Sequence, residues 1–105
     1  MTLLHLTRFE EAMSLLREYM PVARRVVGES HDLTLRMKTI YASALFLADD
    51  VTLDDLRESV TTLEETARTA RRVLGGAHPA TEIAVRSLEC SREALGAAEE
   101  SLSKS

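Results

Sequence analysis

Three histidines, one cysteine, a run of aspartates and a set of arginines are the side chains of this chain that could carry chemistry. His5, His31, His78 and Cys90 are metal-ligating or acid/base types. A metal site needs several donors converging at about 2 Å, and neither paired cysteines nor histidines at i and i+4 occur here. His31 and His78 recur at one position of an internal repeat, which points to a ring that fixes the loop ahead of a helix. Asp49, Asp50, Asp54 and Asp55 invite a calcium reading, but an EF-hand loop requires oxygen donors at alternate positions, a central glycine and a closing glutamate. Val51 and Leu53 intervene and no glycine is present, so turn formation and helix capping are expected instead. Cys90 falls on a moderately apolar face beside Ala94 with no base at helical spacing, and reads as a small packed residue, not a reactive thiol. Arg24, Arg25, Arg68, Arg71 and Arg72 could form a phosphate patch, yet they alternate with Glu18, Glu64 and Glu65. Glu64 and Arg68 stand at i and i+4, so a solvated, self-paired helix face is expected. There is no glycine-rich phosphate loop, nucleophile elbow or carboxylate dyad, and no Asn or Gln to complete a Cys-His-Asn triad. The expectation is a non-enzymatic chain without metal or cofactor, with a cofactor-independent enzyme as the remotest alternative.

The elements that position these groups must come from 105 residues, enough for one small domain or part of a larger one. With 45% hydrophobic and 29% charged residues the chain has the mixture of a folded globular protein, not of a disordered one. Seventeen acidic against thirteen basic residues give a formal charge of −4, which disfavours nucleic acid as a partner. One cysteine permits no intrachain disulfide and fits a reducing compartment, so a cytoplasmic location is expected. The longest nearly apolar run, Ile40 to Ala48, is far short of the roughly 20 residues of a membrane span. The first residues have neither the basic leading segment nor the small-residue cleavage site of a signal peptide.

Self-similarity organises the rest. Ala23 to Thr34 aligns with Ala70 to Thr81 at an offset of 47, and seven of the twelve positions are identical. Upstream, Leu6, Phe9, Met13, Leu16, Met20, Ala23 and Val27 correspond to Leu53, Leu56, Val60, Leu63, Ala67, Ala70 and Leu74. Steps of three and four place each series on one helix face and exclude a strand. Thr52 is a suitable N-cap for Asp55, with Asp54 and Asp55 at the positive helix end. Gly28 and Gly75 suit left-handed C-caps after Arg24, Arg25 and Arg71, Arg72 in the last turns. Pro21 predicts a kink. Between the copies, Leu33, Met37, Ile40, Tyr41, Ala44, Leu45, Leu47 and Ala48 form a wide apolar arc around a polar strip of Arg36, Thr39 and Ser43, predicting burial on more than one side. The last helix opens at Pro79 and carries the diluted stripe Ala84, Leu88, Ser91, Leu95, Ala98 and Leu102. The fold class is therefore all-α: helices over about 7–27, 32–48, 53–74 and 79–101, packed as antiparallel hairpins.

The phrase Val73-Leu74-Gly75-Gly76-Ala77-His78-Pro79-Ala80-Thr81, its earlier copy Val26 to Thr34, and Arg8-Phe9-Glu10-Glu11-Ala12 resemble the tetratricopeptide repeat, in its kinesin light-chain-like type. The resemblance implies a partial first repeat over 1–31, a second over 32–78 and the first helix of a third over 79–102, in one domain spanning 1–105. It places the residues that lengthen the usual period in the turn Asp49 to Thr52. It implies a scaffold that binds a protein or peptide along its first helices. Where the family often has paired asparagines this chain has Thr39 and Ile40, then Arg86 and Ser87. Arg36, Thr39, Ser43 and Arg86 are the expected contacts, with the two arginines suited to carboxylates.

A second expected surface comes from comparing the copies. The first long helix carries Ala12, Leu15, Tyr19, Val22 and Val26 where its copy has Ser59, Thr62, Thr66, Thr69 and Val73. By the resemblance, Arg8 to Ala12 opens a second helix whose own first helix is missing. The apolar flank, with Leu15 and Tyr19 central, is expected to be covered by a second copy of the chain or by another protein. The alternative function is thus a structural subunit buried in a larger assembly.

Overall fold

The computed structural model describes residues 3–47 and 50–104, with side chains from Glu10 onward; the side chains of His5, Leu6, Arg8 and Phe9, and all of Ala48 and Asp49, lie outside the described residues. Among the described residues there are four helices, α1 (Leu3–Val26), α2 (Asp32–Leu47), α3 (Leu53–Leu74) and α4 (Pro79–Ser103), and α1 continues through Pro21. Among the described residues there is no strand.

The starts of α2, α3 and α4 and the end of α3 have local causes. The Thr52 hydroxyl accepts the Asp55 N–H at 3.1 Å and the Asp55 carboxylate accepts the Thr52 N–H at 3.2 Å, a reciprocal cap for α3. The histidines cap α2 and α4: His31 Nδ1 accepts the Leu33 N–H and His78 Nδ1 accepts the Ala80 N–H, both at 3.1 Å. Rings that anchor a helix start are what the recurrence predicted. Gly28 and Gly75 adopt φ of 98° and 91°. Gly75 has ψ 156°, so its cap is not the expected left-handed helical turn but an extended mirror-image conformation reserved for glycine. The Gly75 N–H still satisfies the Ala70 and Arg71 carbonyls.

Among the described residues α2 meets all three other helices, α3 packs on α2 and most extensively on α4, and α1 packs on α2 alone. Ala42, Val60, Leu63, Ala67, Ala84 and Leu88 form the core, with Phe46, Val85 and Leu95 against it. The Ser59 hydroxyl donates to the Ala42 carbonyl at 2.7 Å, tying α3 to α2.

The helix stripes differ in how far they are buried. Leu63 is fully buried, but its equivalent Leu16, expected in the core from the same stripe, is only half-buried, because among the described residues α1 meets one neighbour where α3 meets two. The apolar arc of α2 is packed on more than one side, against α1, α3 and α4 among the described residues, as its breadth predicts, while Leu33, Ile40 and Leu47 remain exposed. The hydroxyl-rich flank of α3 is interior, with Ser59 and Thr66 buried. Thr66 donates to the Thr62 carbonyl at 2.7 Å, so hydroxyls can sit inside by bonding to backbone oxygen.

Candidate functional site

The surface shared by α2 and α4 collects four of the expected contact residues. In the first turn of α2, Arg36 is held by Asp32 at 2.6 Å. One turn on, Thr39 is buried and its hydroxyl donates to the Leu35 carbonyl at 3.0 Å, so it supplies a wall and not a free donor. Arg36, Thr39 and Ile40 face Ala80 and Ile83 across a cleft of about 170 Å³. Ile83 also borders a second depression of about 350 Å³, formed with Ser43, Phe46, Leu47, Arg86, Ser87 and Cys90. The two hollows meet at Ile83, with Arg36 lining the first and Arg86 the second.

This surface is more apolar than the polar strip of α2 suggested. Ile40 is 56% exposed, Ile83 51% and Leu47 66%. These residues were absent from the expected contacts, although the steps 36, 40, 43, 47 and 83, 87, 90 place them on the same faces. Cys90 is exposed on this surface and is not the packed residue expected, because the core-facing stripe of α4 runs through Leu88 and Ser91 on either side of it.

Leu15 and Tyr19 lie elsewhere. Both are half exposed on α1, with Val22 and Val26 beside them, and α1 does not touch α4 among the described residues. The structure thus brings together Arg36, Thr39, Ser43 and Arg86, and leaves Leu15 and Tyr19 on a separate apolar flank.

The charged clusters resolve into local roles. Asp55 belongs to the α3 cap and Asp54 pairs with Arg57 at 3.6 Å. Among the described residues no group of three or more His, Cys, Asp or Glu side chains is placed to hold a metal ion. The expected Glu64–Arg68 pair is not formed: Glu64 reaches across to Arg92 on α4 at 3.8 Å, since α4 lies against that face of α3. At the α1–α2 junction, Glu29 accepts from Lys38 at 2.7 Å and pairs with Arg24 at 3.3 Å. The Lys38 hydrogen bond, helped by the charges of Lys38 and Arg24 against some desolvation, holds its carboxyl below the ordinary glutamate range.

No helix among the described residues is long and apolar enough to cross a membrane. Comparison with curated proteins gave no match. Comparison with solved structures gave none either. A family model described as Tetratricopeptide repeat matches residues 1–32. Taken with the four-helix, strand-free array, this match supports a tetratricopeptide repeat in this chain, a family suggestive of protein–protein interaction.

Proposed function

We propose that the chain is a cytoplasmic, non-catalytic protein-binding module of tetratricopeptide type, in its kinesin light-chain-like form, with repeat units over 1–31, 32–78 and 79–102. It takes a peptide segment of a partner along the α2–α4 surface. The observation that carries this is the pair Ile40 and Ile83, exposed on facing walls of one cleft, with Arg36 and Arg86 along the same surface. An apolar side chain of the partner would enter between the isoleucines, and a carboxylate would meet an arginine bidentately. Peptide-display selection against the folded chain, followed by chemical-shift mapping of the selected peptides, tests it. Shifts are expected at Arg36, Thr39, Ser43 and Arg86. Shifts confined to α3, around Arg57, Glu64 and Arg68, would overturn it.

A second reading is favoured by one observation of its own. On α3 the flank containing Ser59 and Thr66 packs inside the array, whereas the equivalent flank of α1, centred on Leu15 and Tyr19, is exposed and apolar. That supports a subunit whose flank is covered in an assembly, by a second copy or another protein. Sedimentation across a concentration series, with Leu15→Glu as comparison, tests self-association. A chain that stays monomeric, and a variant equally soluble and stable, would remove self-assembly from this reading.

A further inference from the structure

The repeat places the same junction in the chain twice, and the copies differ in a way that opens a second surface. In the first, Arg24 at the end of α1 meets the carboxylate of Glu29, which Lys38 of α2 also holds. Shifted by 47, these positions are Arg71, Gly76 and Val85. The arginine is kept; the carboxylate and the lysine are gone. Arg71 and its neighbours Arg68 and Arg72 have no carboxylate at ion-pairing distance among the described residues.

A groove occupies the vacated place. Arg71, Val85 and Glu89 border both a hollow of about 510 Å³ between α3 and α4 and a smaller one of about 290 Å³ at the Gly76 turn. Ala67, Val85 and Leu88 give the larger hollow an apolar floor, and Arg68, Arg72 and Arg92 join Arg71 around it. Glu64 and Glu89 are the acidic members of the larger hollow and Glu64 is paired with Arg92, while Glu82 and Arg86 join Arg71 and Glu89 around the smaller one. The balance is basic on a chain that is acidic as a whole.

The outer face of α4 shows what does not fill this groove. Leu35, Ala42 and Leu45, buried on α2, become Glu82, Glu89 and Arg92 at the equivalent positions of α4. An apolar helix repeating the stack would have to bury these charges, which is costly without matched partners, and a polar outer face is how repeat arrays are capped.

We infer that the α3–α4 groove is a binding site for an acidic peptide segment of a partner protein, whose carboxylate takes at Arg71 the place that Glu29 takes at Arg24, with an apolar side chain over Val85, Ala67 and Leu88. The internal copy supplies the chemistry: a carboxylate already satisfies this arginine where the chain provides one. The site stands on protein binding in general but is separate from the α2–α4 surface, and its test distinguishes the two.

Fluorescence anisotropy of the full chain is measured with a fluorescein-labelled, C-amidated Leu-Glu-Asp-Leu-Glu peptide at low salt, beside its Leu-Gln-Asn-Leu-Gln counterpart. The acidic peptide should bind, its amide counterpart should bind on the order of tenfold more weakly, and Arg71→Ala should cost a similar factor. The pair Gly76→Glu with Val85→Lys rebuilds the first junction and should close the site to the peptide. No atom lies within 4 Å of a Cβ added at Gly76, so the turn accepts the side chain. Ile83→Asp, which damages the α2–α4 surface, should leave binding unchanged. The inference is overturned by no binding up to about 1 mM, by equal binding of the amide peptide, or by Arg71→Ala binding normally. Loss of binding in Ile83→Asp alone would place the peptide on the α2–α4 surface and also overturn it.

Discussion

The α1–α2 and α3–α4 junctions begin from the same residues and end in different environments. Each has a glycine at positive φ and a histidine ring capping the next helix. Each also closes its turn with a histidine N–H to the glycine carbonyl, at 3.4 Å for His31 and 3.3 Å for His78. Beyond the backbone they diverge. In the first, Thr34 donates to the Gly28 carbonyl at 2.8 Å and Glu29 is clamped by two cations. In the second, the Thr81 hydroxyl is buried without a hydrogen-bond partner among the described residues, and Gly76 replaces the carboxylate. The helices reverse this order: α3 and α4 pack along each other far more than α1 and α2 do among the described residues. The first junction is tied by polar side chains and the second by apolar burial.

The largest effect that would break this comparison lies in the helix bodies. Leu63→Ala should cost about 2–5 kcal/mol in urea unfolding, since a fully buried leucine loses its transfer energy and leaves a cavity. The equivalent Leu16→Ala should cost clearly less, because the half-buried side chain leaves space that water fills. Equal costs would mean that α1 is as deeply packed as α3.

A smaller contrast sharpens the junctions. Thr34→Val removes the donor to Gly28 and should destabilise by about 0.5–1.5 kcal/mol. Thr81→Val removes a hydroxyl that has no partner and should be neutral or stabilising by about 1 kcal/mol. Equal destabilisation by both variants would show that Thr81 bonds as Thr34 does.

The smallest effect is electrostatic. The Glu29 carboxyl is held low in the folded chain, so its contribution is complete above the ordinary glutamate range and fades as pH falls through the lowered folded value. Glu29 is largely exposed, so the contribution is small and screened by salt. The difference in urea midpoint between the parent chain and Glu29→Gln should shrink from pH 7 toward pH 3 and collapse in 1 M salt. A difference that persists at both extremes would assign it to packing.

The four helices, the Thr52 cap, the histidine rings and the paired glycines were legible in the residues because each depends on neighbours within about one helical turn. The α2–α4 surface is legible in part: the pattern points to Arg36, Thr39, Ser43 and Arg86, while the exposure of Ile40, Leu47 and Ile83 on the same faces depends on what packs opposite them. Periodicity says which residues share a face; it does not say what lies opposite.

What the sequence by itself determined was therefore the set of helices and the residues at their junctions, since hydrogen bonds of one turn and the three- and four-residue rhythm are local, though α1 starts at Leu3 and not near residue 7. Only the tertiary structure decided that the hydroxyl-rich flank of α3 is interior, with Ser59 and Thr66 inside, whereas the copies already pointed to Leu15 and Tyr19 as a surface. It alone gave Glu64 to Arg92 in place of Arg68, and left Cys90 exposed beside Ile83. The reason is physical: burial and long-range ion pairing depend on how many helices surround a face, and α3 has two neighbours among the described residues where α1 has one.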